Sequence, residues 1–98
     1  EQDRATDMNS DELLSLYEIG EREFYLSDLS GVTLSEVNLS GIDLSQANLE
    51  KAVLRRSNLA RAILSQAFLG EADLSEADLR KADLSGADLL GTDLTGAN

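Results

Sequence analysis

The sequence predicts an all-β solenoid, a coil of short parallel strands stacked on one narrow core. Three observations carry that reading. Leucine recurs every fifth residue from Leu29 to Leu94, with Phe24 in phase before the series. A small residue stands two places before most rung positions, as Ala47, Ala52, Ala62, Ala67, Ala72, Ala77, Ala82, Ala87 and Ala97, with Ser57 and Thr92 as substitutes. Directly before the leucine comes Asp or Asn, at Asp28, Asn38, Asp43, Asn48, Asn58, Asp73, Asp78, Asp83, Asp88, Asp93 and Asn98.

A period of five fits neither regular element. On an α-helix, residues five apart are rotated by roughly 140° and leave no apolar face. On a straight strand an odd period sends successive leucines to opposite faces. All of them reach one interior only if the chain bends once per repeat, so that coils stack as parallel strands about 4.8 Å apart. The leucine and the small residue then fill the interior. Asp and Asn hydrogen-bond backbone at the bends, and residues after the leucine, such as Ser40-Gly41, Ser85-Gly86 and Thr95-Gly96, form solvated corners.

The segments "ANLEK", "ADLSE", "ADLRK" and "ADLSG" resemble the pentapeptide-repeat family, whose motif is A(D/N)LXX, over residues 22–98. The resemblance implies a right-handed quadrilateral β-helix with four pentapeptides per coil, hence about four coils here. The charges do not decide the number of sides. At a spacing of twenty Arg56 aligns with Glu36 and Glu76, and Lys51 with Glu71. At fifteen, Glu36 meets Lys51, Arg56 meets Glu71 and Arg61 meets Glu76.

Before the repeats, residues 1–9 read as a flexible acidic tail and residues 10–21 as an N-terminal capping unit. Asn9 or Ser10 can cap a helix, Glu12 lies three after Asn9, and Leu13, Leu16 and Tyr17 recur at helical spacing before Gly20. A helix over 10–20 would lid the first coil, with Phe24, Val32, Val37 and Ile42 widening its entrance. The C-terminal coil has no such lid, so end-to-end homodimerisation through it is expected.

Composition narrows the function. The 98 residues carry a net charge of −11, which opposes direct nucleic-acid binding. Residues 1–23 hold eight acids and two bases, a net of −6, so the other −5 spreads over the repeats. Without Cys there is no disulfide or thiolate site, and without His the commonest general base and metal ligand are missing. No cofactor is expected. Serines follow many of the leucines, but the bases left to activate one are Lys51 and Lys81, so they read as turn residues. Asp73 and Asp93 would lie one rung apart, close enough to share a hard cation, yet the motif places Asp there for backbone bonding. No apolar run approaches the roughly 20 residues of a membrane span, so the chain reads as soluble with no membrane partner. The start at Glu1 is compatible with cleavage of a leader, leaving cytoplasm and export, to periplasm or thylakoid lumen as the resemblance implies for some members, both open.

Three repeats replace Asp or Asn with outward apolar residues, at Val53, Ile63 and Phe68. Arg55, Arg56 and Arg61 lie beside them, and a four-sided coil would stack Arg61 with Lys81 and Ala60 with Arg80 as a basic stripe. These eight residues form the candidate partner surface. The expected function is a non-enzymatic scaffold that engages a protein partner. The alternative, also implied by the resemblance, is an acidic DNA mimic that inhibits DNA gyrase or another topoisomerase.

Overall fold

The structure, a computed structural model, describes residues 8–98. Most of the expected acidic tail, through residue 7, lies outside the described residues. Met8 and Asn9 belong to the fold rather than to a tail: the Met8 N–H donates to Asp28 O at 3.1 Å, and Asn9 caps the helix that follows.

That helix, α1, spans Ser10–Glu18. The Glu12 N–H donates to Asn9 Oδ1 at 2.8 Å while the Asn9 N–H donates to Glu12 Oε1 at 3.1 Å, so a capping box satisfies two N-terminal donors. Its C-terminus closes on Gly20, at φ +106°, with Gly20 N–H donating to Tyr17 O and Glu21 N–H to Leu16 O, both at 3.0 Å. This is a Schellman ending, and it stops the helix two residues short of the expected boundary. Leu13 is fully buried among the solenoid leucines, and Tyr17 Oη donates to Ser40 O at 2.7 Å.

From residue 23 the chain makes one bridge per pentapeptide, and all eleven parallel bridges join residues twenty apart, from Glu23↔Asp43 to Asp73↔Asp93. Four pentapeptides therefore complete each turn. The charge pairs at a spacing of fifteen fall on different edges, and the pairs at twenty stack. Four faces result, numbered in chain order. Face 1 carries Glu23, Asp43, Ile63 and Asp83; face 2 carries Asp28, Asn48, Phe68 and Asp88; face 3 carries Thr33, Val53, Asp73 and Asp93; face 4 carries Asn38, Asn58 and Asp78.

Each side of a rung is held by a repeated set of bonds. On face 1, Leu44 N–H donates to Ile63 O at 2.7 Å, Ile63 N–H to Ile42 O at 2.8 Å, and Gln46 N–H at the corner to Ser65 O at 3.0 Å. Each corner is a four-residue turn, such as Leu44 to Ala47, closed by Ala47 N–H to Leu44 O at 3.0 Å. Its third residue has positive φ, as in a type II turn. Ten of these corner residues are not glycine, with φ of 58° to 63° at positions including Leu26, Glu36, Arg56, Arg61 and Lys81. The rung bonds impose a conformation that side chains other than glycine ordinarily avoid.

The Asp or Asn at the bridge completes the corner. Asp43 Oδ1 accepts from Ser45 N–H at 3.0 Å and Ser45 Oγ at 2.7 Å, Asp83 does the same with Ser85, and Asn48 Oδ1 accepts from Glu50 N–H at 3.0 Å. Inside, Leu29 to Leu74 and Ala47 to Ala77 are buried in a single column. Burial fades in the last coil, where Leu84 and Leu89 are half-buried and Leu94 is exposed.

Two inward hydroxyls find acceptors, Ser57 Oγ donating to Leu54 O at 2.6 Å and Thr92 Oγ1 to Leu69 O at 2.7 Å. Ser27 Oγ is buried with no partner among the described residues. Ser27→Ala restores the residue usual at this inner position and removes an unmet polar group, for an expected gain of about 1 kcal/mol. A thermal melt checks it: an unchanged or lower Tm would show that the hydroxyl has a partner.

Candidate functional site

The twenty-residue register gives each edge of the prism its own chemistry. Edge 3/4 is an ion ladder. Arg56 sits between Glu36 and Glu76 of the adjoining coils, with Nη1 at 3.6 Å from Glu36 Oε2 and Nε at 2.6 Å from Glu76 Oε1. The Arg56 guanidinium holds the Glu76 carboxyl below its usual range. Arg55 shares this edge, and its field lowers Asp73 and Asp93 slightly, behind the larger effects of Ser75 and Thr95.

Edge 4/1 is basic. Arg61 lies one rung from Lys81, and together with Ala60 and Arg80 they line a shallow groove. Arg80 turns back onto its own coil, with Nε donating to Asp78 Oδ1 at 2.9 Å and Nη2 to Asp78 Oδ2 at 2.7 Å. Those bonds, with a further one from the Arg80 N–H, bring the Asp78 carboxyl down to about 2. Among the described residues Arg61 and Lys81 have no ion-pair partner.

Edge 1/2 is uncharged. Its corners are Tyr25-Leu26, Ser45-Gln46, Ser65-Gln66 and Ser85-Gly86, and exposed Ile63 and Phe68 flank it on faces 1 and 2. Ile63 is 39% and Phe68 48% exposed. Tyr25 at 40% and Leu26 at 46% extend this apolar character two rungs toward α1. The repeat pattern marks these two as departures, because corners elsewhere favour Ser, Gly or charge, but the pairing with Ile63 and Phe68 needs the twenty-residue register. Leu90, 81% exposed, is a separate departure on edge 2/3.

The eight candidate residues are thus divided. Ile63 and Phe68 come together across one edge. Val53 lies on face 3, half-buried, away from them. Arg61, Arg80 and Lys81 share edge 4/1, while Arg55 and Arg56 belong to edge 3/4. What reads in sequence as one apolar and basic surface is divided among face 3 and edges 1/2, 3/4 and 4/1.

No side-chain cluster of the described residues gathers three or more potential metal ligands. The facing carboxylates Asp73 and Asp93 accept from Ser75 and Thr95 of their own corners. No helix of the described residues is long and apolar enough to cross a membrane.

The lowered carboxyls set an acid limit on stability. A carboxyl whose value falls on folding stabilises the fold above its unfolded value, and loses that contribution as pH drops through the folded value. Asp73, Asp83 and Asp93 are lowered by corner hydroxyls and amides, and Asp78 to about 2 by Arg80. Tm is expected to fall as pH drops from about 4 toward 2, and Asp78→Asn to remove part of that slope in a pH series of melts. An equal slope in the variant would refute the role of this pair.

The pattern described as Pentapeptide repeats matches residues 27–66 and 64–98, in 8 copies. No curated protein matches the sequence. Among solved structures, the chain is similar to HetL, a pentapeptide repeat protein involved in heterocyst differentiation regulation from Nostoc sp. strain PCC 7120. The identity is 42% and the TM-score 0.91, over 92% of this chain and 38% of HetL. This chain therefore spans well under half of HetL. A second pentapeptide repeat protein of Nostoc PCC 7120 matches at 38% identity and TM-score 0.53, over 95% of this chain and 79% of that one. One from the Arabidopsis thaliana thylakoid lumen matches at 31% and 0.57, over 83% and 64%. With its motif recurring from residue 27 to 98 and its rungs spaced by four repeats, this chain belongs to the pentapeptide-repeat family and has that family's right-handed quadrilateral β-helix fold.

Proposed function

We propose that the protein is a non-enzymatic scaffold of about four coils, lidded at its first coil by α1, that holds a protein partner on edge 1/2. One observation carries this reading. At Ile63 and Phe68 the chain forgoes the corner bond that Asp or Asn makes elsewhere, and exposes an apolar side chain instead. The cost is about 0.5–1.5 kcal/mol for each missing bond. Both substitutions flank the same edge, which is uncharged at every corner. Exposed apolar side chains in place of the corner acceptor at two adjoining repeats fit a binding surface. HetL's part in regulation agrees with a partner-holding role, though this chain corresponds to 38% of that protein.

The double variant Ile63→Asn/Phe68→Asn tests the reading with two opposed readouts. Asparagine restores the acceptor for the Ser65 and Gly70 amides without stacking a third carboxylate between Asp43 and Asp83. Stability is expected to rise by about 1 kcal/mol, while capture of the native partner, identified and re-tested in purified form, is lost. A folded variant that captures the same partner as well as the parent does would overturn the proposal.

The DNA-mimic alternative draws less support from this surface. The basic edge 4/1 and the Arg56 ladder interrupt the acidic faces that a mimic needs. We further propose that two copies associate through the last coil, where Leu84, Leu89 and Leu94 lose the cover that inner leucines have. A mass by light scattering that stays monomeric well above micromolar concentration would overturn that.

A further inference from the structure

The charge surrounding the apolar pair points to the kind of partner it takes. In the face 1 column Ile63 lies between Asp43 and Asp83, one rung from each, with Glu23 beyond. In the face 2 column Phe68 lies between Asn48 and Asp88, with Asp28 beyond. A rung is about 4.8 Å, so each apolar side chain has an acid within one side-chain length. Asp43 and Asp83 each give Oδ1 to the serine of their own corner. Among the described residues no cation pairs with Asp43, Asp83 or Asp88.

The chain balances its charges elsewhere. Arg56 is held between two glutamates, Lys51 lies one rung from Glu71, and Arg80 is bonded to Asp78. Among the described residues Asp43, Asp83 and Asp88 have no such neighbour along their columns. Arg61 and Lys81 are on the other edge of face 1, across its width from edge 1/2, and Lys51 is on the far edge of face 2, beside Glu71.

We propose that edge 1/2 docks a short partner segment whose apolar side chains are flanked by Lys or Arg. Its apolar groups cover Ile63 and Phe68, and reach toward Tyr25 and Leu26. Its cations meet Asp43 and Asp83 on one side and Asp88 on the other. In the sequence Arg55, Arg56 and Arg61 lie beside the apolar residues. The register puts the basic stripe on edge 4/1, across face 1 from the docking edge. This inference rests on the reading of edge 1/2 as the partner surface, and adds the partner's charge to it.

The test titrates two short peptides, one alternating lysine with leucine and one alternating glutamate with leucine, into the isotope-labelled full chain, following amide shifts by NMR. The lysine peptide is expected to shift residues 25–26, 43–48, 63–68 and 83–88, and to bind more weakly as salt is raised. Ile63→Asn/Phe68→Asn is expected to weaken it by at least about tenfold. Asp43→Asn/Asp83→Asn, which keeps both corner bonds, should weaken it about threefold at low salt. If both peptides bind this edge equally and the apolar double variant abolishes both, the charge preference is wrong while the docking edge stands. Shifts spread over all four faces, or binding untouched by the apolar variant, would overturn both.

Discussion

Leu59→Ala is expected to destabilise the solenoid by about 3 kcal/mol and to lower Tm by roughly 12–24 °C. Leu59 is fully buried, in one column with Leu39 and Leu79, and its backbone is fixed on both sides: its N–H donates to Asp78 O at 2.8 Å and its carbonyl accepts from Ala62 N–H at 3.0 Å. The rungs cannot close over the missing side chain, because their spacing is set by backbone bonds and not by side-chain volume. A cavity therefore remains, and adds to the lost transfer energy. Leu94→Ala provides the contrast. In a single copy its side chain is already exposed in the last coil, so at concentrations that keep the chain monomeric its removal should cost about 1 kcal/mol or less. In a solenoid each coil contacts its neighbours alone, so position along the stack decides the cost of identical chemistry. Equilibrium denaturation of the two variants compares them directly, and equal costs would refute this ranking.

The interior of the fold was legible because its signal is redundant. Fifteen rung positions and their small partners repeat the same instruction, and a corner per leucine is the one geometry that satisfies all of them. In α1, Asn9 and Glu12 make the reciprocal cap bonds their types suggest, and Gly20 takes the positive φ that ends the helix. The number of sides was not legible from charge. Arg56 satisfies a spacing of twenty with Glu36 and Glu76, but an exposed ion pair is worth too little to dictate register. The family resemblance supplied the four sides, and the backbone ladder carries them.

The candidate site was half legible for the same reason. That Ile63 and Phe68 depart from the repeat is visible in sequence, because the Asp or Asn they replace has a defined bond to make. Which departures are neighbours depends on the register. Val53 looks equivalent on paper and stands on another face, whereas Tyr25 and Leu26, nearly forty residues earlier, share the edge. Arg61 is two residues from Ile63 in the chain, yet its side chain starts from a different edge. In a coil with a corner every five residues, sequence proximity is a poor guide to surface proximity.

Leu13→Asp is expected to undock α1 and lower stability by about 3 kcal/mol. Leu13 is the helix residue fully buried against the leucine column, and Leu14, Leu16 and Tyr17 pack partly beside it. A carboxylate has no partner in that apolar setting, so the helix can keep it only by leaving. Nine residues do not sustain a helix in water once tertiary packing is gone, whatever the quality of the capping box. Undocking also bounds the penalty, since the first coil can survive as an exposed end. The variant should thus lose helical signal in far-ultraviolet circular dichroism while the inner rungs keep their amide protection. Protection at Leu29 and Gly31, whose N–H groups donate to Asn48 and Glu50 of the next coil at 2.8 Å, should fall first. With Phe24 and Leu29 uncovered, association should then rise with concentration, because an open end of a parallel ladder offers both apolar area and unpaired amides. Asn9→Ala separates the two contributions: it removes the cap bond at about 1 kcal/mol and leaves Leu13 in place, so the helix should fray without release. If Leu13→Asp retained its helix and melted with the parent, the first coil would need no lid, and the stability of the N-terminal end would have to come from the rungs alone.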